Sequence, residues 1–353
     1  DADRTFSCTS PGMRPWPPML MLVLTAAAAP ADLGRHARAA DSAGPAPRQM
    51  QPQEDGAAPL PRLPAAPTRA LDLQVLLDRA GFSPGEIDGL GGYNTRRALE
   101  GFQRARLLPA TGRADRAVLG ALGAGDAPTI TEYTITSDDL AGPFTPVIPA
   151  DVLLQAALPA LGYTGPLEMF GERFHASPSL LQRLNPGATF QKAGEVIRVP
   201  NVPPAPSPDV PGTDGHADVV VTVSKRARVL RVEGADRAVL LQAPVTVGSE
   251  HDRLPIGEWA VTGLSPNPVF HYNPDLFWDA EPSHSMAHIQ PGPNNPVGVM
   301  WIGVTREHYG LHGTPEPARV GHTASHGCVR LTNWDVLRVA ARVTKGTRVV
   351  FEE

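Results

Sequence analysis

The chain of 353 residues is poor in three features that would each assign it to a class of protein. It has only two cysteines, Cys8 and Cys328, which excludes a scaffold of several internal disulfide bonds. Its apolar run at residues 19–29 is too short for a membrane-spanning helix, which needs roughly 20 residues. The net charge is -5, with acidic and basic residues interspersed, so no basic stripe is available to bind nucleic acid. A stable transmembrane span and a nucleic-acid partner are therefore not expected.

Proline and glycine, by contrast, are abundant, and they are concentrated before residue 68 and around residues 201–215. Within the first of these stretches, residues 1–31 have the layout of a secretory leader. Arg14 is followed by the short apolar run and by small residues that offer a cleavage site, and Met13 is a candidate for the true start. We predict a linker at residues 32–67 and export to the periplasm or cell envelope, the alternative being an apolar terminus that stays in the cytoplasm.

Loss of that leader would leave Cys328 as the single thiol. A lone cysteine is either a buried small hydrophobe or a reactive group. The residues next to it in the sequence distinguish these two alternatives.

Residues 68–124 have the periodicity of a small helical bundle. Apolar side chains recur at helical spacing from Leu73 to Ala80 and again from Ala98 to Leu107, with Asn94-Thr95 as the predicted start of the second helix. Glycines punctuate the loops between them.

This stretch resembles peptidoglycan-binding domain 1 over about 50 residues. The positions that carry the resemblance are Leu73-Gln74, Gly81, Gly85, Ile87-Asp88-Gly89, Thr95, Ala98-Leu99, Phe102-Gln103, Gly112, Leu119 and Leu122. The resemblance implies peptidoglycan as a partner. The family usually has an aromatic soon after the Asp-Gly pair, whereas here Leu90 and two glycines precede Tyr93. A spacer or docking surface is the alternative role.

Residues 130–201 show a second pattern, in the order strand, helix, helix, strand. The predicted strands are Glu132 to Thr136 and Val196 to Val199, and the predicted helices are Leu167 to Phe174 and Ser177 to Leu184. This order, with its Leu-Asn-Pro-Gly turn, resembles a LysM domain with a long first half. An α+β spacer is the alternative.

After a linker at residues 202–215, the region at residues 216–353 is mainly β. Short β-branched runs at 218–223, 227–232 and 238–247 alternate with turn signals, and a helix at 334–343 precedes a last strand at 348–351. The predicted fold is therefore multidomain: a helical bundle, an α+β module and a mainly-β domain with a β-sandwich-like architecture.

Two short motifs in this last region carry chemistry. His312-Gly313-Thr314 is followed after ten residues by Ser325-His326-Gly327-Cys328-Val329-Arg330. A thiol needs a neighbouring base or cation to become a nucleophile, and these motifs supply both. If residues 325–330 are extended, His326, Cys328 and Arg330 share one face. From spacing alone His326 is the base, and Gly327 would let a carbonyl approach backbone N–H groups.

The two motifs resemble the signature of the YkuD-type L,D-transpeptidase catalytic domain over residues 217–353. Gly248, Leu254-Pro255-x-Gly257-x-Trp259 and Asp335 match further parts of its pattern. The resemblance implies that Cys328 is the nucleophile, His312 the proton acceptor and His326 a supporting group. Gly327 completes the predicted catalytic set. The predicted substrate-binding residues are Arg330, Ser325, Gly313 and Thr314.

The reaction implied by this resemblance is an acyl transfer without metal or cofactor. Cys328 would attack the third residue of a tetrapeptide stem and release the terminal D-alanine. The acyl group would then pass to a stem amine, giving a 3-3 cross-link, or to an amine on a wall-anchored protein. With water as acceptor the protein would be an L,D-carboxypeptidase, and with an inert site a wall-binding protein.

Four further features leave alternatives open. Arg330 could pair with Asp335 instead of binding a substrate carboxylate. His322 is interpreted as a solvated loop residue. His284 and His288 have the spacing of zinc ligands but lack the glutamate of the usual zinc motif. The insert at residues 265–297, rich in turns and aromatics, is predicted to be a lid or a substrate-facing loop.

Overall fold

A computed structural model describes residues 70–208 and 218–353. The predicted leader and first linker lie outside these ranges, as do residues 209–215 of the second linker. No helix in the described ranges combines the length and apolarity needed to cross a membrane.

The predicted helical bundle consists of α1 (Ala70–Arg79), α2 (Tyr93–Ala105) and α3 (Arg116–Ala121). The predicted start of α2 at Asn94-Thr95 was wrong, because the helix begins one residue earlier and Gly92 occupies its N-cap position without a side-chain hydrogen bond. Asn94 serves a different purpose: its Nδ2 donates to the carbonyl of Val320, 2.9 Å away in the C-terminal region.

Helix α1 belongs to two hydrophobic clusters at once. Leu73 and Leu77 pack in the bundle with residues of α2 and α3. Leu71 and Val75, on another face of the same helix, pack with Phe170 and its neighbours in the second module. The boundary between residues 124 and 130 stays a prediction, but the bundle and the α+β module share this helix.

The second module shows the predicted order of strand, helix, helix, strand. Strand β1 (Ile130–Thr134) is followed by the short helices α4 (Ser137–Leu140) and α5 (Val152–Gln155), and then by α6 (Pro166–Arg173), α7 (Pro178–Leu184) and β2 (Val196–Pro200). The two strands pair antiparallel. Helices α4 and α5 account for the length of the first half. Ser177 caps α7 as predicted. The likeness of this module to LysM stays a prediction.

The C-terminal region is mainly β, as predicted. Its elements are β3 (Val220–Ser224), β4 (Val229–Glu233), β5 (Val239–Pro244), β6 (Gly257–Pro266), β7 (Phe270–Tyr272), β8 (Ala287–Ile289), β9 (Met300–Val304), β10 (Gly310–His312), β11 (Val329–Arg330), α8 (Asn333–Ala340) and β12 (Arg348–Glu352). Strands β7 and β8 pair with each other, and the other eight form one sheet in the order β11-β10-β9-β6-β12-β3-β4-β5.

This sheet curls where a sandwich of two separate sheets was expected. Thr246, two residues after β5, forms an antiparallel bridge with Arg330 of β11, so the two ends of the strand order meet. The curl encloses β-branched side chains such as Val221, Val232 and Val349 in one core, and that core also receives one face of α8.

A buried ionic network joins α8 to the two preceding modules. Arg338 of α8 donates to Asp78 of α1 at 2.7 Å, and the Nδ1 of His175 lies 3.3 Å from the same carboxylate. Ser83 donates to Asp335 at 2.7 Å. Burial would raise the pKa of Asp78, but His175 and Arg338 outweigh it and hold the pKa well below its usual range. Charged groups from three sequence regions are thus locked together.

Candidate active site

The two signature motifs meet because β10 and β11 pair in parallel. Leu311 is the register partner of Val329, and His312 is the partner of Arg330. The two apolar partners are completely buried, which anchors both strands in the core. Since paired residues of neighbouring strands lie on the same face of a sheet, His312 and Arg330 share a face. Cys328 directly precedes β11 at this point.

The prediction that residues 325–330 are extended was wrong for residues 326–328, which form a bend, whereas Ser325 bridges to Gly248. Ser325 closes it, since its Oγ donates to the carbonyl of Cys328 at 2.6 Å. Gly327 has a φ of +103°, a conformation that favours glycine, and a Cβ atom there would lie 2.9 Å from the ring of Tyr309. Ser325, predicted to bind substrate, therefore shapes the turn that presents Cys328.

The Cys328 thiol is half-buried and weakly bonded. Its Sγ lies 3.5 Å from the carbonyl oxygen of His308, to which it donates. Burial raises the pKa of Cys328, against the opposing effects of the Gly310 N–H and the positive charge of Arg330. At neutral pH the group is therefore a thiol, and it needs a base before it can act as a nucleophile.

His312, on the strand beside Cys328, is the predicted base. Its side chain is buried, and its Nδ1 lies 2.7 Å from the carbonyl oxygen of Gly313. A carbonyl can only accept, so Nδ1 carries the proton and Nε2 keeps the lone pair. Burial, followed by the charge of Arg330, lowers the pKa of His312 to about 3. The ring, stacked on Trp301, is thus a neutral imidazole with one fixed tautomer.

His326 is held by the insert at residues 265–297. Its Nε2 lies 2.8 Å from Asp279 Oδ1, and its ring contacts the edge of Phe277 at a centroid distance of 5.1 Å. The ring of Trp278 lies 6.4 Å away. The insert is partly ordered by the β7–β8 pair, and its tip reaches the signature motif. This placement agrees with a substrate-facing role, which stays a prediction.

Arg330 and Thr314 line one small cleft of about 110 Å³. The Nε of Arg330 is buried there without a hydrogen-bond partner in the described part of the chain. The alternative that Arg330 pairs with Asp335 was wrong, because Asp335 lies 3.4 Å from Arg338 and accepts hydrogen bonds from Ser83 and Thr332. The guanidinium of Arg330 therefore remains available to a ligand.

Asn333 supports the loop that carries Gly313. Its Oδ1 accepts the N–H of Val299 at 3.2 Å, and a Cβ atom on Gly313 would lie 2.1 Å from that same oxygen. Its Nδ2 donates to Glu172 of the α+β module at 2.8 Å. Gly313, predicted to bind substrate, is thus required for close packing and for the hydrogen bond with His312.

Sequence reasoning missed Asp279, Tyr309, Asn333 and Glu172. Asn333 follows the signature by a few residues, and its proximity in sequence to Asp335 was an available signal. Asp279 and Glu172 are far from the signature in sequence, and no local pattern indicated them.

The remaining histidines have separate neighbours. His284 Nδ1 lies 2.9 Å from the Tyr272 hydroxyl, whereas the ring of His288 packs edge-on against His271. Within residues 70–208 and 218–353 no group of three potential ligands is placed to hold a metal ion. His322 is exposed, with Nε2 3.3 Å from Asn94 Nδ2.

Two family models match the chain. The one described as "L,D-transpeptidase catalytic domain" matches residues 218–351, and the one described as "Putative peptidoglycan binding domain" matches residues 69–122. The α+β module between them is not part of either match.

Known proteins also match the chain. "Putative L,D-transpeptidase YkuD" of Bacillus licheniformis is 30% identical over 185 residues, which are 52% of this chain and 91% of that protein. "Probable L,D-transpeptidase YbiS" of Escherichia coli K12 is 28% identical over 54% of this chain and 61% of that protein. The crystal structure of L,D-transpeptidase 3 from Mycobacterium tuberculosis with a faropenem-derived adduct matches with 14% identity and a TM-score of 0.32, over 46% of this chain and 75% of that one. At that score the structural likeness supports no conclusion.

Proposed function

The chain belongs to the L,D-transpeptidase family, and we propose that it is an exported enzyme that remodels peptidoglycan through an acyl group held on Cys328. The observation that carries the proposal is the fixed tautomer of His312. Its Nδ1–H is committed to Gly313, which leaves Nε2 as a base on the strand beside Cys328.

In the first step the Cys328 sulfur attacks the carbonyl carbon of the third stem residue. The thiol proton passes to Nε2 of His312, the bond to the nitrogen of D-alanine breaks, and the imidazolium returns the proton to that leaving amine. Burial disfavours both the free thiolate of Cys328 and the free imidazolium of His312, so we write the proton transfer in the same step as the attack. General-base catalysis of this kind contributes roughly 10²- to 10⁴-fold.

The turn before β11 provides the other catalytic parts. The positive φ of Gly327 bends the backbone beside Cys328, so that N–H groups of this turn can stabilise the oxyanion. Arg330, whose guanidinium has no carboxylate partner in the described ranges, holds a substrate carboxylate in the cleft that it shares with Thr314. His326, held by Asp279, supports the site from the insert.

In the second step an amine attacks the thioester and restores the thiol. The acceptor is the side-chain amine of another stem, which gives a 3-3 cross-link, or an amine of a wall-anchored protein. Water in its place would make the protein an L,D-carboxypeptidase. The helical bundle and the LysM-like module bind the enzyme to the cell wall, so that it acts in the cell envelope.

The test is incubation of the purified protein with disaccharide tetrapeptides, followed by separation of the products. We expect free D-alanine together with 3-3 linked dimers from the wild type and neither product from Cys328→Ala. Tripeptides without dimers would identify a carboxypeptidase. No release of D-alanine, or release that survives Cys328→Ala, would refute the proposal.

A further inference from the structure

A second cleft, of about 400 Å³, lies where α2 of the peptidoglycan-binding bundle meets β3, β4 and β5 of the catalytic sheet. It contains none of the catalytic residues discussed above. Its charged lining is strongly basic. Five arginines and two glutamates line it: Arg96, Arg97, Arg104, Arg226 and Arg231, and Glu100 and Glu353.

Both glutamates are already engaged by other cations. Glu100 lies 2.9 Å from Arg96 and 3.6 Å from Arg104. Glu353 lies 3.3 Å from Lys225. In the part of the chain that the structure describes, Arg97 and Arg226 are left without a salt bridge, so the cleft offers two uncompensated cations.

Of these two residues, Arg97 gives the stronger indication of an anion-binding site. Its guanidinium lies 3.3 Å above the centroid of the Tyr93 ring, which fixes its plane. Its Nη1 is shielded from water and has no hydrogen-bond partner among residues 70–208 and 218–353. Burial, and then the charge of Arg228, lower the pKa of Arg97 to about 9, against a smaller opposing effect of Glu100. Burying a cation without a counter-ion is costly, and a bound anion would remove that cost.

The walls of the cleft are held rigidly together. Gln242 of β5 is buried, and its Nε2 donates to the carbonyl of Arg97 at 3.0 Å. Gly101 lets α2 come this close, because a Cβ atom there would lie 2.2 Å from Gln242 Oε1. The guanidinium of Arg97, stacked on Tyr93, is therefore preorganised.

We propose that this cleft binds the carboxylates of a peptidoglycan stem peptide, and so holds a wall strand at the junction of the binding bundle and the catalytic sheet. The inference rests on the proposed function, in that peptidoglycan is the substrate. The anionic groups of peptidoglycan are the carboxylates of its stems, and planar arginine donors match carboxylates. Arg97 provides the fixed donor, and the exposed Arg226 provides a second charge from the catalytic domain.

The test measures binding of soluble disaccharide tetrapeptide to the full chain by calorimetry, in a Cys328→Ala background that prevents turnover. Arg97→Gln and Arg226→Gln should each weaken binding about 10-fold, as expected for a charge-assisted hydrogen bond. The matched controls Arg116→Gln and Arg237→Gln remove the same charge from exposed positions outside the cleft and should bind like the parent. A ligand with amidated carboxylates should bind the parent as weakly as the native ligand binds the variants.

Unchanged binding in Arg226→Gln, a surface change that leaves the core intact, would overturn the proposal. Displacement of the ligand by an equal concentration of inorganic phosphate would show a general anion site and would also overturn it. Turnover of tetrapeptides by the wild type separates the two hypotheses. If turnover occurs but the cleft variants bind normally, only the cleft assignment fails, whereas absent turnover refutes the proposed function.

Discussion

The buried charges around Asp78 and the polar groups around Cys328 are satisfied to very different degrees. Asp78 is fully buried and its carboxylate has two close neighbours, Arg338 at 2.7 Å and the imidazole of His175 at 3.3 Å. At the catalytic turn the thiol of Cys328 makes one long hydrogen bond, and Nε of Arg330 has no partner among the described residues.

The difference distinguishes groups that stabilise the fold from groups that can interact with a substrate. Charges that already have partners gain nothing from a ligand, and the Asp78 network fastens α1 and the α+β module to α8. Polar groups that lack partners are costly in the free protein, and a substrate can relieve that cost. Substitutions at the network should therefore lower stability, and substitutions at the turn should lower activity.

The largest expected effect is that of Cys328→Ala. The release of D-alanine should fall to background, because no other thiol lies in the predicted mature chain. The thermal midpoint should stay close to that of the wild type, since the thiol is half-buried and weakly bonded. A large drop in the midpoint would show that Cys328 also stabilises the fold, which would contradict the expected difference between the turn and the Asp78 network.

The opposite behaviour is expected of Asp78→Asn. Removing one partner of a buried ion pair leaves Arg338 with only its longer contact to Asp335, at 3.4 Å, and the free energy of unfolding should fall by about 3–5 kcal/mol. Denaturant unfolding measures this. Glu258→Gln, which breaks an exposed pair with Arg348, is the control and should leave unfolding unchanged within error. Equal effects of both changes would mean that the network does not fasten the modules.

A smaller effect concerns Glu172, the carboxylate bonded to Asn333. Burial raises its pKa to about 8 from 4.5, so the folded protein holds a proton that the unfolded chain releases between these values. The stabilisation that this proton provides is fully present below pH 4.5. It decreases by about 1.4 kcal/mol per pH unit between pH 4.5 and about 8 and is lost as the pH rises through 8.

Glu172→Gln removes this titration. Its thermal midpoint should fall less than that of the wild type when the pH is raised from 6 to about 8, a range that lies within the shifted titration. Parallel pH dependence in the two proteins would contradict the shifted pKa.

Local patterns in the sequence predicted the longer helices and half of the strands, β1 to β5 and β12, whereas the short helices α4 and α5 and strands β6 to β10 were missed. Helical spacing and β-branched runs are set by neighbours in the chain, so they can be recognised without a structure. The pairing of His326 with Asp279 could not be recognised in this way. The two residues are 47 positions apart, and periodicity does not indicate which distant segments come into contact. The prediction for Asn94 failed for the same reason, since its partner Val320 lies in another domain.

The bend at residues 326–328 was missed for a different reason. Alternation of side chains holds only in an extended strand, and the positive φ of Gly327 ends it just before Cys328. Spacing alone therefore favoured His326 as the base. The observed hydrogen bonds commit Nδ1 of His312 to Gly313 and pair Nε2 of His326 with Asp279, and the choice of His312 stays a prediction.

The most direct test of the central claim compares His312→Gln with His326→Gln, by turnover of tetrapeptides and by the rate of Cys328 alkylation. If His312 is the base, its loss should slow acylation by roughly 10²- to 10⁴-fold, and loss of His326 should cost less. Alkylation reports the thiol alone, whereas turnover also needs the proton for the leaving amine. A larger loss in His326→Gln than in His312→Gln, in both assays, would contradict the account and exchange the two roles.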